Sequence, residues 1–74
     1  MWSKGIIEIA GTKIQYWVKH FEEGSDFGIS NGKISKLECR INDKTIINYD
    51  RGWDRKPKTK IACQAYDILI KRYN

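Results

Sequence analysis

The chain has 74 residues, of which 41% are hydrophobic and 31% are charged, and it contains three Trp, four Tyr and two Phe. A chain this short forms one domain at most, buries only about 60% of the surface that its unfolded form exposes, and has little room for a deep substrate pocket. The apolar and aromatic content excludes a disordered tail. We therefore predict a single folded domain over residues 1–74.

The net charge is +5, since 14 Lys and Arg residues outnumber nine Asp and Glu residues. This balance favours polyanionic partners such as nucleic acid, although many small basic proteins bind no polyanion. No apolar run approaches the roughly 20 residues that cross a bilayer, and no signal-peptide stretch follows Met1–Gly5. We predict a cytoplasmic protein without a membrane partner.

Alternating apolar and polar residues predict two strands at the start of the chain. The first lies at residues 6–9 and ends at a turn of Ala10, Gly11 and Thr12, because Gly accepts a positive φ. The second covers residues 13–21. It places Ile14, Tyr16 and Val18 on a core-facing side, and Lys13, Gln15, Trp17 and Lys19 on the other.

After a polar loop at residues 22–26, the pair Asn31-Gly32 is the strongest hairpin signal in the chain. A type I′ turn there would join a strand at residues 27–30 to one at residues 33–41. The second of these strands places Leu37, Cys39 and Ile41 on one face, and Lys36, Glu38 and Arg40 on the other.

A turn at Asn42-Asp43 and a strand at residues 45–49, with Ile47 and Tyr49 on one face, continue an antiparallel meander. A C-terminal amphipathic helix follows, whose apolar residues recur at spacings of three and four: Ile61, Ala62, Ala65, Tyr66, Ile68, Leu69 and Tyr73. Its start is either Pro57 in the first turn or Thr59 as the cap. The predicted fold class is α+β, a small antiparallel β-meander of four to five strands with one C-terminal helix packed across one face.

The segment between the last strand and the helix is strongly basic. It contains Arg51, Arg55, Lys56, Lys58 and Lys60 against the single acid Asp54. Cations beside a helix N-terminus oppose the helix dipole, whereas together with free amide hydrogens they suit a phosphate or carboxylate. We predict a nucleic-acid or anion-binding site at residues 51–60. The alternative is a solvated loop in which Asp50 and Asp54 pair with Arg51 and Arg55.

Three aromatic residues are candidate interaction anchors: Trp17, Tyr49 and Trp53. Trp17 shares its strand face with lysines and Trp53 lies in the basic segment, so either would suit stacking on unpaired bases. For Trp53 the favoured interpretation is structural: Gly52 takes a backbone conformation that other residues avoid, and Trp53 plugs the edge between sheet and helix.

Catalytic and metal-binding motifs are absent from the sequence, and we predict neither enzyme activity nor a cofactor. His20 lies beside Glu22 and Glu23 but has no matched nucleophile. Cys39 and Cys63 are too few and too far apart for a zinc ribbon or a redox pair. Both are predicted to be reduced core residues.

Residues 27–37, residues 49–54 and Pro57 resemble a family of small uncharacterised proteins associated with Gram-positive bacteria, their phages and mobile elements. The resemblance covers roughly Tyr16 to residue 74, and Tyr-Asp-Arg-Gly-Trp is its most specific part. The family implies no activity. A phage-like context implies a binding function, directed at nucleic acid or at a host protein such as a defence nuclease.

These observations favour a non-enzymatic binding module whose basic loop and helix start contact phosphates, with Trp53 and Trp17 at the edge of the contact. The alternative is a protein–protein inhibitor or adaptor anchored by Tyr49, Arg51 and Trp53, because Trp, Tyr and Arg dominate interface hot spots. A third hypothesis is a homodimer through the exposed sheet face, so the chain is a monomer or a homodimer.

Overall fold

The computed structural model describes residues 1–74 and contains one five-stranded sheet and one helix. The strands are β1 (Trp2–Ile9), β2 (Thr12–His20), β3 (Ile34–Ile41), β4 (Lys44–Asp50) and β5 (Trp53–Arg55), and the helix is α1 (Lys60–Tyr73). A single 3₁₀ turn, Ile29–Asn31, lies between β2 and β3. The strands lie in the order β1-β2-β3-β4-β5, and every neighbouring pair is antiparallel. The predicted α+β meander with a C-terminal helix is confirmed.

Two of the predicted turns have the backbone conformation that tight hairpins require. Ala10 and Gly11 have φ angles of 50° and 81°, and Asn42 and Asp43 have φ angles of 49° and 65°. Positive φ at both central residues gives a turn whose twist matches that of the flanking strands. The β1–β2 and β3–β4 connections are therefore two-residue hairpins. Both lie where turns were predicted, although Thr12, which was predicted as part of the first turn, is the first residue of β2.

The predicted hairpin at Asn31-Gly32 is wrong. Ser30 and Asn31 have φ angles of 52° and 57°, but Gly32 is extended with φ −94°, and residues 27–30 form no strand. β3 pairs directly with β2, with His20 opposite Ile34, so residues 21–33 are the connection between these two strands. The edge of β2 is thus already occupied, and local turn hydrogen bonds satisfy the loop backbone instead, including Asn31 N–H to the Gly28 carbonyl at 3.1 Å.

The core lies between one face of the sheet and α1, which packs against β1 and β4. The predicted inward faces of the central strands are confirmed. The buried sheet residues include Ile14, Tyr16, Val18, Leu37, Cys39, Ile47 and Tyr49, and the helix contributes Ala62, Ala65 and Leu69. These helix positions are three and four residues apart and therefore share one side of α1.

Thr59 is the N-cap of α1, and its Oγ1 accepts a hydrogen bond from the backbone N–H of Ala62 at 3.2 Å. This decides between the two predicted helix starts, because Pro57 lies outside the helix. Cys63 follows Ala62 on the helix but points to solvent, so the prediction that it is a core residue is wrong. Cys39 is buried as predicted, and both cysteines are free.

The sheet face opposite α1 has no covering element, and we call it the open face. Its side chains follow the strand register: Trp2, Lys4, Ile6 and Glu8 on β1, Lys13, Gln15, Trp17 and Lys19 on β2, Lys36, Glu38 and Arg40 on β3, and Asn48 and Asp50 on β4. No helix in the structure is long and apolar enough to span a membrane.

Candidate functional site

An open groove of about 500 Å³ lies between the segment before α1 and the β3–β4 turn. Four cations line it, Lys44, Arg55, Lys56 and Lys58, and we call it the cationic groove. The remaining lining residues are Ile41, Asn42, Thr45, Ile46, Thr59 and Ala62. No carboxylate lines this groove.

The meander explains how the groove forms. β5 runs antiparallel to β4, with Arg55 opposite Asn48, so the chain leaving β5 heads back toward the start of β4. Lys44 begins β4 and therefore meets Arg55 and Lys56, which lie more than ten residues later. Sequence reasoning missed Lys44, although a basic residue directly after a hairpin turn at this end of the sheet was a usable signal.

The cations of the groove have no ion-pair partners in the protein. The structure contains two ion pairs, Lys36 with Asp50 and Arg40 with Glu38, and both lie on the open face. The solvated-loop alternative expected Asp50 and Asp54 to pair with Arg51 and Arg55. This expectation is wrong, because neither arginine forms an ion pair and Asp50 pairs with Lys36 instead. The groove therefore brings together four exposed cations that form no ion pair within the protein.

The other two predicted cations lie outside this groove. Lys60 is the first residue of α1 and is exposed, but it does not line the groove. Arg51 lies in the β4–β5 turn, at the opposite end of β5 from Arg55. Its guanidinium lies 4.7 Å from the ring centre of Phe27, and its backbone N–H donates to the Ser35 carbonyl at 2.9 Å. The structure therefore brings three of the five predicted cations together, and adds Lys44.

The strained position of this turn is Arg51, with φ 58°, and not Gly52. The prediction for Gly52 is wrong because the left-handed residue comes one position earlier. A Cβ built on Gly52 meets no atom within 4 Å.

Tyr49 and Trp53 lie at the junction of sheet and helix. The Trp53 ring is half-buried, with its centre 5.0 Å from that of Tyr49 and 5.6 Å from that of Tyr66 on α1. Tyr49 is only 6% exposed, and its hydroxyl donates to the Phe27 carbonyl at 2.7 Å. Most of the surface of these two side chains is used within the fold.

Trp17 lies on the open face, where the Arg40 guanidinium is 5.1 Å from its ring centre. A second groove of about 460 Å³ runs beside it, and its lining includes Trp2, Lys36, Glu38, Arg40 and Asp50. Both cations of this groove belong to the two ion pairs. This surface is mixed and charge-balanced, unlike the cationic groove.

Burial and hydrogen bonding within the fold raise the pKa values of Cys39 and Tyr73. Burial, and then the neighbouring Glu38, raise the pKa of the Cys39 thiol to about 12. A hydrogen bond with Tyr16, at 3.0 Å between the hydroxyl oxygens, raises the pKa of Tyr73. His20 Nε2 lies 3.0 Å from Ser3 Oγ. No three His, Cys, Asp or Glu side chains converge as metal ligands would.

Together these features define a small α+β module with a helix on one face of an antiparallel sheet, a cationic groove at one end and an uncovered face opposite the helix. The chain belongs to the family described as Domain of unknown function (DUF7678), whose model matches residues 1–74. The resemblance to an uncharacterised family is confirmed at this level, and the match extends beyond Tyr16 to the first residue. No curated protein and no solved structure matches the chain.

Proposed function

We propose that this protein is a small non-enzymatic module that binds nucleic acid by contacting backbone phosphates with the cationic groove. One observation supports the proposal above all others: Lys44, Arg55, Lys56 and Lys58 line a single groove with no carboxylate and no ion pair. Backbone phosphates are anions that suit a cluster of exposed cations without ion-pair partners. The phage context suggested by the resemblance is compatible with such a role.

The cationic groove is favoured over the open face because of its electrostatics. Lys36 and Arg40 on the open face are held by Asp50 and Glu38, so a phosphate there would compete with two carboxylates. The groove cations have no such competitor. The open face would add a contact only if unpaired bases stack on Trp17.

The experiment that tests the proposal is a fluorescence-anisotropy titration with labelled duplex DNA, duplex RNA and single strands over a range of salt concentrations. Four phosphate contacts on duplex DNA give a slope of log affinity against log salt of roughly −3.6, that is 0.9 for each cation. Heparin serves as a polyanion without bases or a duplex. Nucleic acid is expected to bind more tightly than heparin, and equal affinity or an absence of binding at low salt overturns the proposal.

Matched variants connect the binding to the groove. The triple substitution R55A/K56A/K58A removes three groove cations, and K13A/K33A/K71A removes three exposed cations located elsewhere. The first variant should reduce the salt slope by about one for each lost contact, and the second should change it little. Equal losses would show that only net charge matters, which contradicts a site.

Arg51→Ala and Trp53→Ala distinguish this proposal from an inhibitor or adaptor that acts on a host protein. Arg51 lies outside the groove, so its loss should leave the salt slope close to that of the unaltered protein. If no nucleic acid binds and both variants abolish capture of a host protein, the adaptor hypothesis replaces the proposal.

A further inference from the structure

We infer that the free edge of β1 pairs antiparallel with β1 of a second copy of the chain, joining two five-stranded sheets into one of ten strands. The cationic groove takes no part in this pairing. The homodimer would form through one strand, β1, in one register.

β1 is a long and regular edge strand. It is the first strand in the sheet order, has eight residues, and pairs with β2 without any shift of register from Trp2 to Ile9. It contains no Pro and no bulge, which are devices that keep sheet edges from pairing. The opposite edge, β5, has only three residues.

The hydrogen bonds within the protomer show which backbone groups of β1 point outward. The backbone N–H of His20 donates to the Met1 carbonyl at 2.8 Å. Because residues of an antiparallel pair alternate between bonded and non-bonded positions, every second residue after Met1 also bonds to β2. The residues between them direct their N–H and C=O groups to the free edge: Trp2, Lys4, Ile6 and Glu8.

These outward residues are self-complementary about Ile6. In a two-fold pairing centred there, Lys4 lies opposite Glu8 of the second copy, and Glu8 lies opposite its Lys4. Ile6, which is 61% exposed, lies opposite itself. Opposite charges and apolar residues directly across two strands are the favourable cross-strand pairs.

The other registers of the same backbone pattern are worse. Centring the pair on Lys4 or on Glu8 places two like charges directly opposite each other, which is unfavourable. Centring it on Gly5 or Ile7 places a charged side chain opposite Ile6. The Ile6-centred register is therefore selected by side-chain chemistry and by the two-fold symmetry of a closed dimer.

A charge-swap experiment tests this pairing by sedimentation velocity over a dilution series. The unaltered chain should sediment as a dimer at high concentration, whereas Lys4→Glu or Glu8→Lys should weaken dimerisation at least tenfold. The double variant K4E/E8K should restore it, because the two opposite charges are exchanged. A monomer at all concentrations, or a double variant no better than the singles, overturns the inference.

Ile6→Pro provides a second test that concerns the backbone. The N–H of Ile6 points to the free edge, so the substitution deletes an intermolecular hydrogen bond and none within the protomer. A folded monomer by circular dichroism and sedimentation is expected, and a folded dimer would show that another surface associates. Lys71→Glu, on the exposed side of α1, is the charge control and should leave the dimer unchanged.

Different variants test nucleic-acid binding by the groove and dimerisation through β1, so either proposal can be overturned without the other. Lys4→Glu leaves the cationic groove intact, so the monomeric variant should still bind nucleic acid with strong salt dependence. R55A/K56A/K58A leaves the β1 edge intact and should remain dimeric.

Discussion

The side-chain oxygen of Asn74 accepts a hydrogen bond from the backbone N–H of Ile34 at 2.9 Å, across 40 residues of sequence. The amide nitrogen of the same side chain donates to the Ile29 carbonyl at 3.1 Å. One side chain following α1 thus holds both the 3₁₀ turn and the first residue of β3. It ties the β2–β3 loop to the end of the helix.

We expect Asn74→Ala to lower the free energy of unfolding by about 1 to 3 kcal/mol, because it leaves two partly buried backbone groups without their partners. Urea denaturation measures this change. Asn74→Asp keeps the acceptor for Ile34 but loses the donor to Ile29. Its free energy of unfolding should lie between those of the unaltered protein and Asn74→Ala. Lys71→Ala is an exposed control expected to change stability by less than about 0.5 kcal/mol.

The β4–β5 turn should tolerate substitution at Gly52 but not at Arg51. Gly52→Ala adds a Cβ in open space at a residue without positive φ, and should be neutral or stabilising by up to about 1 kcal/mol. Arg51→Val places a β-branched residue at φ 58° and should cost about 1 to 3 kcal/mol.

Arg51→Asn is the control for that turn. Asn tolerates the left-handed region, so this variant removes the cation beside Phe27 without adding backbone strain. Thermal unfolding of the three variants separates backbone strain from loss of the side chain. A destabilised Gly52→Ala beside a stable Arg51→Val would show that the turn has another conformation.

Trp53→Ala should destabilise the fold by about 2 to 4 kcal/mol, because a half-buried aromatic ring packed on Tyr49 and Tyr66 is lost. Trp53→Phe should lower the free energy of unfolding by less than half as much. Trp17→Leu on the open face keeps apolar area and should cost much less. Chemical denaturation of all three is the measurement, and an unaffected Trp53→Ala would assign that ring to a ligand contact instead.

The two cysteines should differ in reactivity. Cys63 is exposed and Cys39 is buried, so a thiol reagent should label one cysteine of the native protein rapidly and both only in denaturant. Mass spectrometry of the labelled peptides identifies the reacting residue. Equal labelling of both cysteines in the native protein would contradict the buried position of Cys39.

Cys39 also predicts a loss of stability at alkaline pH. Its folded pKa of about 12 lies above the ordinary value of 9.0, so between these values the unfolded chain loses a proton that the folded chain keeps. The free energy of unfolding therefore falls as pH rises above 9, by about 1 kcal/mol at pH 10. Cys39→Ala should be less stable than the unaltered protein at pH 8, but its free energy of unfolding should fall less as pH rises. If the free energies of unfolding of the two proteins fall in parallel from pH 8 to 11, Cys39 does not cause the alkaline loss of stability.

Strands in which apolar and polar residues clearly alternate could be predicted from the sequence. Turns could be predicted where the two strands beside them pair with each other. Asn42-Asp43 forms the predicted turn because β3 and β4 flank it. Asn31-Gly32 has the stronger local signal, yet it forms no hairpin because the following strand pairs with β2. Turn chemistry acts locally, whereas the choice of partner strand depends on the whole sheet.

The candidate site was predictable only in part for the same reason. Arg55, Lys56 and Lys58 are neighbours in sequence, and the structure keeps them together. Lys44 joins them only because β5 returns along β4, and β5 is too short to leave an alternating pattern. Arg51 does not join the group because it lies in the β4–β5 turn, whereas Arg55 lies at the far end of β5.

The strictly sequential strand order has a kinetic consequence. Every strand pairs with its neighbour in the chain. Three of the four connections are two-residue turns and the longest is residues 21–33, and folds with such local contacts cross their barrier quickly. The hydroxyls of Tyr16 and Tyr73, in contrast, meet across 57 residues. The meander should therefore form ahead of the docking of α1, and substitutions at the Tyr16–Tyr73 contact should accelerate unfolding while leaving the folding rate almost unchanged.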